Sequence, residues 1–252
     1  MNKAEQGRTR QNKAEQGRTR QNRGITRMNK AERGWIKAGQ SGAARTCRKI
    51  HYLYAQFRPA MNIESHPFPP FLPQDARILM LGSFPPQPRR WSMEFYYPNF
   101  NNDFWRILGL IFFADKEHFI LLGEKKFDRQ EIEAFCAGKG IAMYDTACKV
   151  VRLKDNASDK FLQVEQATDI GALLEQIPQC SALVATGQKA AEQLSEYFRC
   201  QQPPLGNSVP VQYGKRQLNF YRMPSTSRAY PLALDKKAEA YRRMFTSEQI
   251  LQ

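Results

Sequence analysis

Histidine is scarce: His51, His66 and His118 are the only three in 252 residues, too few and too dispersed for a histidine-rich metal centre. The five cysteines (Cys47, Cys136, Cys148, Cys180, Cys200) are odd in number and contain no CxxC pair. That spacing favours reduced thiols in a cytoplasmic protein and offers no zinc site. Long apolar runs are also missing. The longest, Ile107 to Ala114, is far short of the ~20 residues that span a bilayer. The basic N-terminus lacks an apolar core segment and does not read as a secretory signal. No G-x-S-x-G elbow with an acid and a histidine is present, which disfavours a general α/β hydrolase.

Basic charge, by contrast, is abundant, with 38 Lys+Arg against 24 Asp+Glu and a net charge of +14. It is unevenly placed. Residues 1–60 hold 15 Lys+Arg and 3 Asp+Glu, so the remaining 192 residues are nearly neutral. The first 60 residues also carry a repeat: NKAEQGRTRQ stands at 2–11 and again at 12–21, with NKAERG at 29–34. Alanine is the only apolar residue in these copies, so no stacked core can form. Residues 1–60 are therefore expected to be a disordered tail. One reading is a polybasic arm attracted to phosphate. The favoured reading is a translated upstream repeat, with the true start near Met61. The charge of the whole chain thus says little about the domain expected at 61–252.

The alternation of elements in that domain indicates its class. A Pro-rich stretch, His66 to Pro73, reads as an extended lead-in. Arg77–Gly82, Gly140–Asp145 and Ser181–Thr186 read as buried strands, and Pro210–Tyr213 with Gln217–Met223 as a strand pair about Gly214-Lys215. Helical patterns cover 104–113 (capped by Asn102 or Asp103), 128–138, 168–177, 188–197 and 235–245. The order implies an α/β three-layer sandwich with a mostly parallel central sheet. Ligands of such sheets sit outside the carboxyl ends of the strands. Two loops leave strands there: Gly82 to Asn102, and Pro224 to Pro231.

The first loop reads Leu81-Gly82-Ser83-Phe84-Pro85-Pro86 and later Phe95-Tyr96-Tyr97-Pro98-Asn99-Phe100-Asn101-Asn102-Asp103-Phe104-Trp105. The second reads Arg222-Met223-Pro224-Ser225-Thr226-Ser227-Arg228. In this order the two resemble the uracil-DNA glycosylase superfamily, with a Gly-x-x-Pro loop after the first core strand and a Pro-Ser loop after the last. Asn102 to Trp105 is similar to the Asn-x-Phe-Trp element of the mismatch-specific and hypoxanthine-DNA glycosylase branches. Met223 to Arg228 resembles the second motif of thymine-DNA glycosylases.

The resemblance implies a uracil-DNA glycosylase-like fold and an enzyme that flips a base out of DNA and hydrolyses its N-glycosidic bond. It makes Tyr97 the aromatic on which the base stacks, an interaction worth about 1–3 kcal/mol. Gly82, Ser83, Phe84 and Pro85 would surround the base. Phe104 and Trp105 are expected in the core. In the best-known branches a carboxylate or carboxamide two residues after the motif glycine handles the attacking water. Phe84 stands there and can do neither job. The hypoxanthine-DNA glycosylase branch has a similar Gly-Ser-x-Pro loop, and its pattern gives Asn102 a catalytic role. Helix capping is the alternative reading of Asn102.

Asp145 ends a strand, where a carboxylate can point into the cleft, and is a second catalytic candidate. Ser158 is a candidate base contact, although a turn explains its segment equally well. Pro224, Ser225, Thr226, Ser227 and Arg228 are expected to meet DNA through hydroxyls, backbone N–H groups and a possible wedge at Arg228. Arg89, Arg90, Lys215 and Arg216 make small basic pairs on expected loops, more often solvated surface than contacts, but in a nearly neutral domain they are the expected DNA-facing positives. Met223 stands where the uracil-specific branch has histidine, and cannot donate to departing uracil. No lysine lies in either motif, so a Schiff-base lyase step is not expected.

The expectation is a monomeric, cytoplasmic, monofunctional DNA glycosylase of base-excision repair. It would need neither metal nor cofactor and act on hypoxanthine or uracil in DNA. The rival is a catalytically silent nucleic-acid-binding protein on the same fold.

Overall fold

The computed structural model describes residues 62–153 and 159–251. The expected tail at 1–60, and Ser158, lie outside the described residues. The central sheet has five strands in the order β3-β2-β6-β8-β7: β2 is Ile78–Gly82, β3 Ile141–Asp145, β6 Ala182–Ala185, β7 Asn207–Tyr213 and β8 Arg216–Arg222. The pairs β2·β3, β2·β6 and β6·β8 are parallel, whereas β7·β8 is antiparallel, so the sheet is mixed. A two-residue turn joins β7 to β8, with Gly214 at φ +57° in its first position, the left-handed conformation such hairpins require.

Every residue of β2 and β6 is buried, because helices cover both faces of the sheet. Strand alternation divides the apolar residues between two cores. Ile78, Met80, Ile141, Met143 and Val184 pack against helices α1 (Phe104–Phe113), α2 (Arg129–Gly138) and α5 (Leu234–Ser247). Leu79, Leu81, Ala142, Leu183 and Ala185 face α3 (Ile170–Gln176) and α4 (Gln188–Phe198). Each fully buried Leu or Ile contributes about 1.5–3 kcal/mol. This double coverage holds the strand ends in fixed register. Asp128 and Asp169 open α2 and α3 by accepting the N–H of Glu131 and Ala172.

A second sheet, β1-β4-β5, lies outside the elements read from the sequence. It consists of β1 (Ile63–Ser65), β4 (Ala147–Arg152) and β5 (Leu162–Ala167), all antiparallel. Only Thr146 separates β3 from β4. The Pro-rich segment then returns to the main sheet, where Phe71 exchanges both backbone hydrogen bonds with Met143. Residues 63–71 thereby run antiparallel beside β4 and β3, from the pairing of Ile63 with Val151 to the bridge of Phe71 with Met143.

From β2 the chain passes to β3 on one side and later to β6 on the other. The C-terminal end of β2 is therefore the topological switch point, where open α/β sheets bind their ligands. Gly82 occupies that end.

Candidate active site

A cleft of about 860 Å³ opens at this edge, and both loops line it. The register of β2 and β3 puts Gly82 beside Asp145. A Cβ on Gly82 would collide with Asp145 Oδ1 and reach within 3.5 Å of the Tyr97 hydroxyl. Glycine is required here by the close approach of these two polar groups, not by its backbone angles. The Thr146 N–H donates to the Gly82 carbonyl at 2.9 Å, and the Asp145 carbonyl accepts the Thr168 hydroxyl at 2.7 Å. The carboxylate-bearing strand end is thus pinned on both sides.

Asp145 is partnered by His66. Nε2 of His66 lies 3.0 Å from Asp145 Oδ2, with side-chain exposures of 2% and 9%. Sequence reasoning missed His66 as a site residue. Its partner is 79 positions away, and its rarity was the one available cue. Pairing of Ser65 with Lys149, followed by donation from His66 N–H to the Cys148 carbonyl at 2.8 Å, carries the imidazole to the end of β3. Burial, with Asp145 a second contributor, pushes the Tyr96 phenol far above its ordinary range. Burial also raises Tyr144, followed by the effects of Cys148 and Asp145.

Phe84, the departure from the superfamily pattern, packs with Ala147, Val150 and Leu162. Its ring meets His66 edge-on at 5.4 Å. Arg152 lies over the same ring, donates to the Pro85 carbonyl at 2.7 Å and pairs with Glu64 at 2.9 Å. Phe84 therefore forms a wall over the histidine, and Ser83 and Pro85 continue the cleft lining.

Phe95 and Tyr96 are buried, and Tyr97 is half-buried in the cleft. The Tyr97 ring stacks on Phe104 at 3.8 Å with 13° between planes. Its hydroxyl donates to Thr186 Oγ1 at 2.7 Å, because Thr186 in turn donates to the Leu81 carbonyl. Tyr97 also adopts φ +51°, a left-handed conformation that costs a non-glycine residue about 1–3 kcal/mol. Phe104 and Trp105 are fully buried in the core.

Asn102 lines the cleft and also serves α1: its Oδ1 accepts the Phe104 N–H at 2.9 Å. Asp103, by contrast, makes no side-chain cap; its N–H donates to the Thr226 carbonyl, which joins the two loops. In the second loop Pro224 and Thr226 are buried, Ser225 is intermediate, and Ser227 and Arg228 are exposed. The Ser225 and Ser227 hydroxyls accept the N–H groups of Ser227 and Ala229. Arg228 lies along the protein, its Nε 3.0 Å from Asp103 Oδ1. Met223 is 0% exposed and belongs to the core.

Among the described residues, the cleft lining holds five basic residues (Arg90, Arg152, Lys160, Arg222, Arg228) and one acidic residue, Asp145. That balance suits an anionic ligand, although Arg152 and Arg228 already have carboxylate partners. Arg216 is not among them. Its guanidinium donates to the carbonyls of Leu174, Ile177 and Pro178 at the end of α3. Lys215 precedes β8 and Arg216 begins it, so they lie at the opposite end of that strand from Pro224. Among the described residues no three His, Cys, Asp or Glu side chains form a metal-binding group, and no helix is long and apolar enough to cross a membrane.

No family model matches the sequence, and no curated protein matches it. Among solved structures, the chain is similar to the solution NMR structure of a "putative uracil DNA glycosylase" from Methanosarcina acetivorans. The TM-score is 0.51 at 19% identity, over 74% of this chain and 99% of that one. The likeness is one of fold: the chain has an α/β architecture similar to that of a protein described as a uracil DNA glycosylase.

Proposed function

We propose that this cleft is the active site of a monofunctional DNA glycosylase that hydrolyses the N-glycosidic bond of a deaminated base flipped out of DNA. The observation that carries the reading is the approach of Asp145 and Tyr97 to Gly82, with Asn102 in the lining of the same cleft, whose charged residues are mainly basic. The fold likeness and the order of the two loop motifs support it. Hypoxanthine and uracil are the substrates to test first.

Tyr97, backed by Phe104, offers a rigid aromatic surface for a planar base. Gly82, Ser83, Phe84 and Pro85 bound the pocket, and Ser158 is carried forward as a further base contact. As the C1′–N bond breaks, its electron pair leaves with the base, and a water oxygen bonds to C1′. The water proton passes to a carboxylate, and hydrogen-bond donors stabilise the departing base. Asp145 supplies the carboxylate of the cleft, and the Asn102 amide, which lines the same cleft, supplies a donor. Pro224, Ser225, Thr226, Ser227 and Arg228 meet the DNA strand, with Ser227 and Arg228 as the exposed members. DNA is thus the partner, and the chain works as a monomer in the cytoplasm.

A panel of duplexes, each with one deoxyinosine or deoxyuridine, followed by alkali cleavage on a gel, tests this. Abasic sites in at least one member of the panel are expected. Duplex binding without abasic sites would favour the silent binding protein that Phe84 also suggests. Strand scission without alkali would replace the monofunctional reading with a lyase and implicate Lys160 in the cleft.

A further inference from the structure

We propose that His66 is the positioning residue of the cleft. Its Nε2–H holds Asp145 by Oδ2, so that Oδ1 is presented to the attacking water. This rests on the glycosylase reading and extends it to a residue outside both loop motifs.

The geometry has three parts. First, the two oxygens of Asp145 have different surroundings. Oδ2 is 3.0 Å from His66 Nε2, while Oδ1 lies against Gly82 and accepts no hydrogen bond from a described residue. Second, the imidazole is fixed. Its ring is 4.6 Å from Tyr144 and 5.4 Å from Phe84, with Phe68 and Tyr96 at 6.0 Å, and its side chain is almost wholly buried. Third, Nδ1 has a partner in either protonation state. The Phe68 N–H lies 3.2 Å away and can donate to a neutral ring, and the Phe68 carbonyl lies 2.8 Å away and can accept from a protonated one. In both states Nε2 is assigned the proton that faces Asp145, because a bare Nε2 would set its lone pair against the carboxylate oxygen 3.0 Å away.

A carboxylate on a strand end has two χ angles to settle and costs entropy to order. The His66 bond supplies that order, in the way a histidine-oriented carboxylate or a carboxylate-oriented histidine is held in other catalytic pairs. It also accounts for Phe84. The aromatic ring at that position is unable to handle water, but it encloses the histidine that orients the carboxylate on the next strand. The proton released by water as its oxygen bonds to C1′ is taken by Oδ1, and the electron pair of the broken bond leaves on the base.

His66→Phe fills the same aromatic slot without a donor, and His66→Gln restores an N–H toward Asp145. With enzyme in excess over a cleavable duplex, His66→Phe should slow excision about 100-fold. Its affinity for a duplex carrying a tetrahydrofuran abasic analogue should stay within about threefold. His66→Gln should recover about tenfold of the lost rate, and combining His66→Phe with Asp145→Asn should add nothing to Asp145→Asn alone. A His66→Phe rate within about threefold of wild type, or additive effects, would overturn the proposal.

Should the Phe variant not fold, the pairing is read in the intact protein. Long-range ¹H–¹⁵N spectra should show His66 protonated at Nε2, with that proton shifted by Asp145→Asn; protonation at Nδ1 alone overturns the assignment. Wild-type protein that forms no abasic site in any duplex removes the glycosylase reading and this role with it. An active wild type with an active His66→Phe removes only the role of His66.

Discussion

Lys237 Nζ lies 3.0 Å from Asp103 Oδ2 with the lysine side chain 1% exposed, and it also donates to the Ser227 carbonyl at 2.8 Å. One buried ammonium on α5 therefore secures the start of α1 and the second loop together. Arg228 holds the other oxygen of the same carboxylate. The loop is further tied down by the buried Tyr241 hydroxyl, which donates to the Pro224 carbonyl at 3.0 Å. The two loops of the cleft are thus braced from behind by the closing helix.

This arrangement makes the two partners unequal. Asp103→Asn leaves a buried ammonium without a counter-charge and should cost about 3–5 kcal/mol in urea unfolding. Lys237→Met leaves Asp103 paired with Arg228 and should cost clearly less. A larger loss for Lys237→Met would show that Arg228 does not share the carboxylate in solution.

Gly82→Ala places a Cβ against Asp145 Oδ1. Overpacking of this kind costs about 1–3 kcal/mol. Because Oδ2 is held by His66, the carboxylate cannot yield without breaking that bond. Excision should fall at least about tenfold while the protein stays folded. Thermal unfolding together with single-turnover rates measures both, and a fully active Gly82→Ala would show that the carboxylate is free to move.

Asn102 has two separable roles. Asn102→Asp keeps an oxygen for the Phe104 N–H and removes the amide donor, whereas Asn102→Ala removes both. Loss of the cap should cost the alanine variant about 0.5–2 kcal/mol of stability, which the aspartate variant is spared. Both should lose excision by about tenfold or more. If only the alanine variant is slow, Asn102 contributes through the helix and not through its amide.

Tyr221 carries a pH dependence. Burial, then the hydrogen bond and negative charge of Glu248, push its phenol up to about 12, and the hydroxyl donates to Glu248 Oε1 at 2.8 Å. The unfolded phenol ionises near about 10. The folded pKa is the higher one, so the contribution is complete below about pH 10 and is lost as pH rises toward about 12. Tyr221→Phe should be less stable than wild type at pH 8, and the gap should narrow over that alkaline range in urea titrations. A constant gap would show that Tyr221 ionises equally easily in both states.

Legibility in the sequence followed the range of the interactions. Strands β2, β3 and β6 and the five α-helices of the described residues were visible because each is a local apolar pattern with its own period, and Asp128 and Asp169 added caps to two of them. The sheet β1-β4-β5 was not. The strand Ile63–Ser65 is three residues long, and its pairing with β4 reaches across the intervening β2, α1, α2 and β3. The basic pair Lys215-Arg216 looked available for DNA, but topology sends it to the far end of β8, where Arg216 caps α3. Phe84 looked like a missing catalytic group; its neighbour His66 comes from a segment that precedes the whole central sheet.

The sequence by itself determined the α/β class, the two loops at the carboxyl edge and the separation of a basic, repetitive first 60 residues from a nearly neutral remainder, since composition and period are local properties. Tertiary structure alone decided that His66 meets Asp145, that Lys237 meets Asp103, and that Gly82 leaves room for a carboxylate. These contacts join residues 79 and 134 positions apart, or depend on the register of parallel strands. They arise only when packing on both faces of the sheet has fixed where each strand ends.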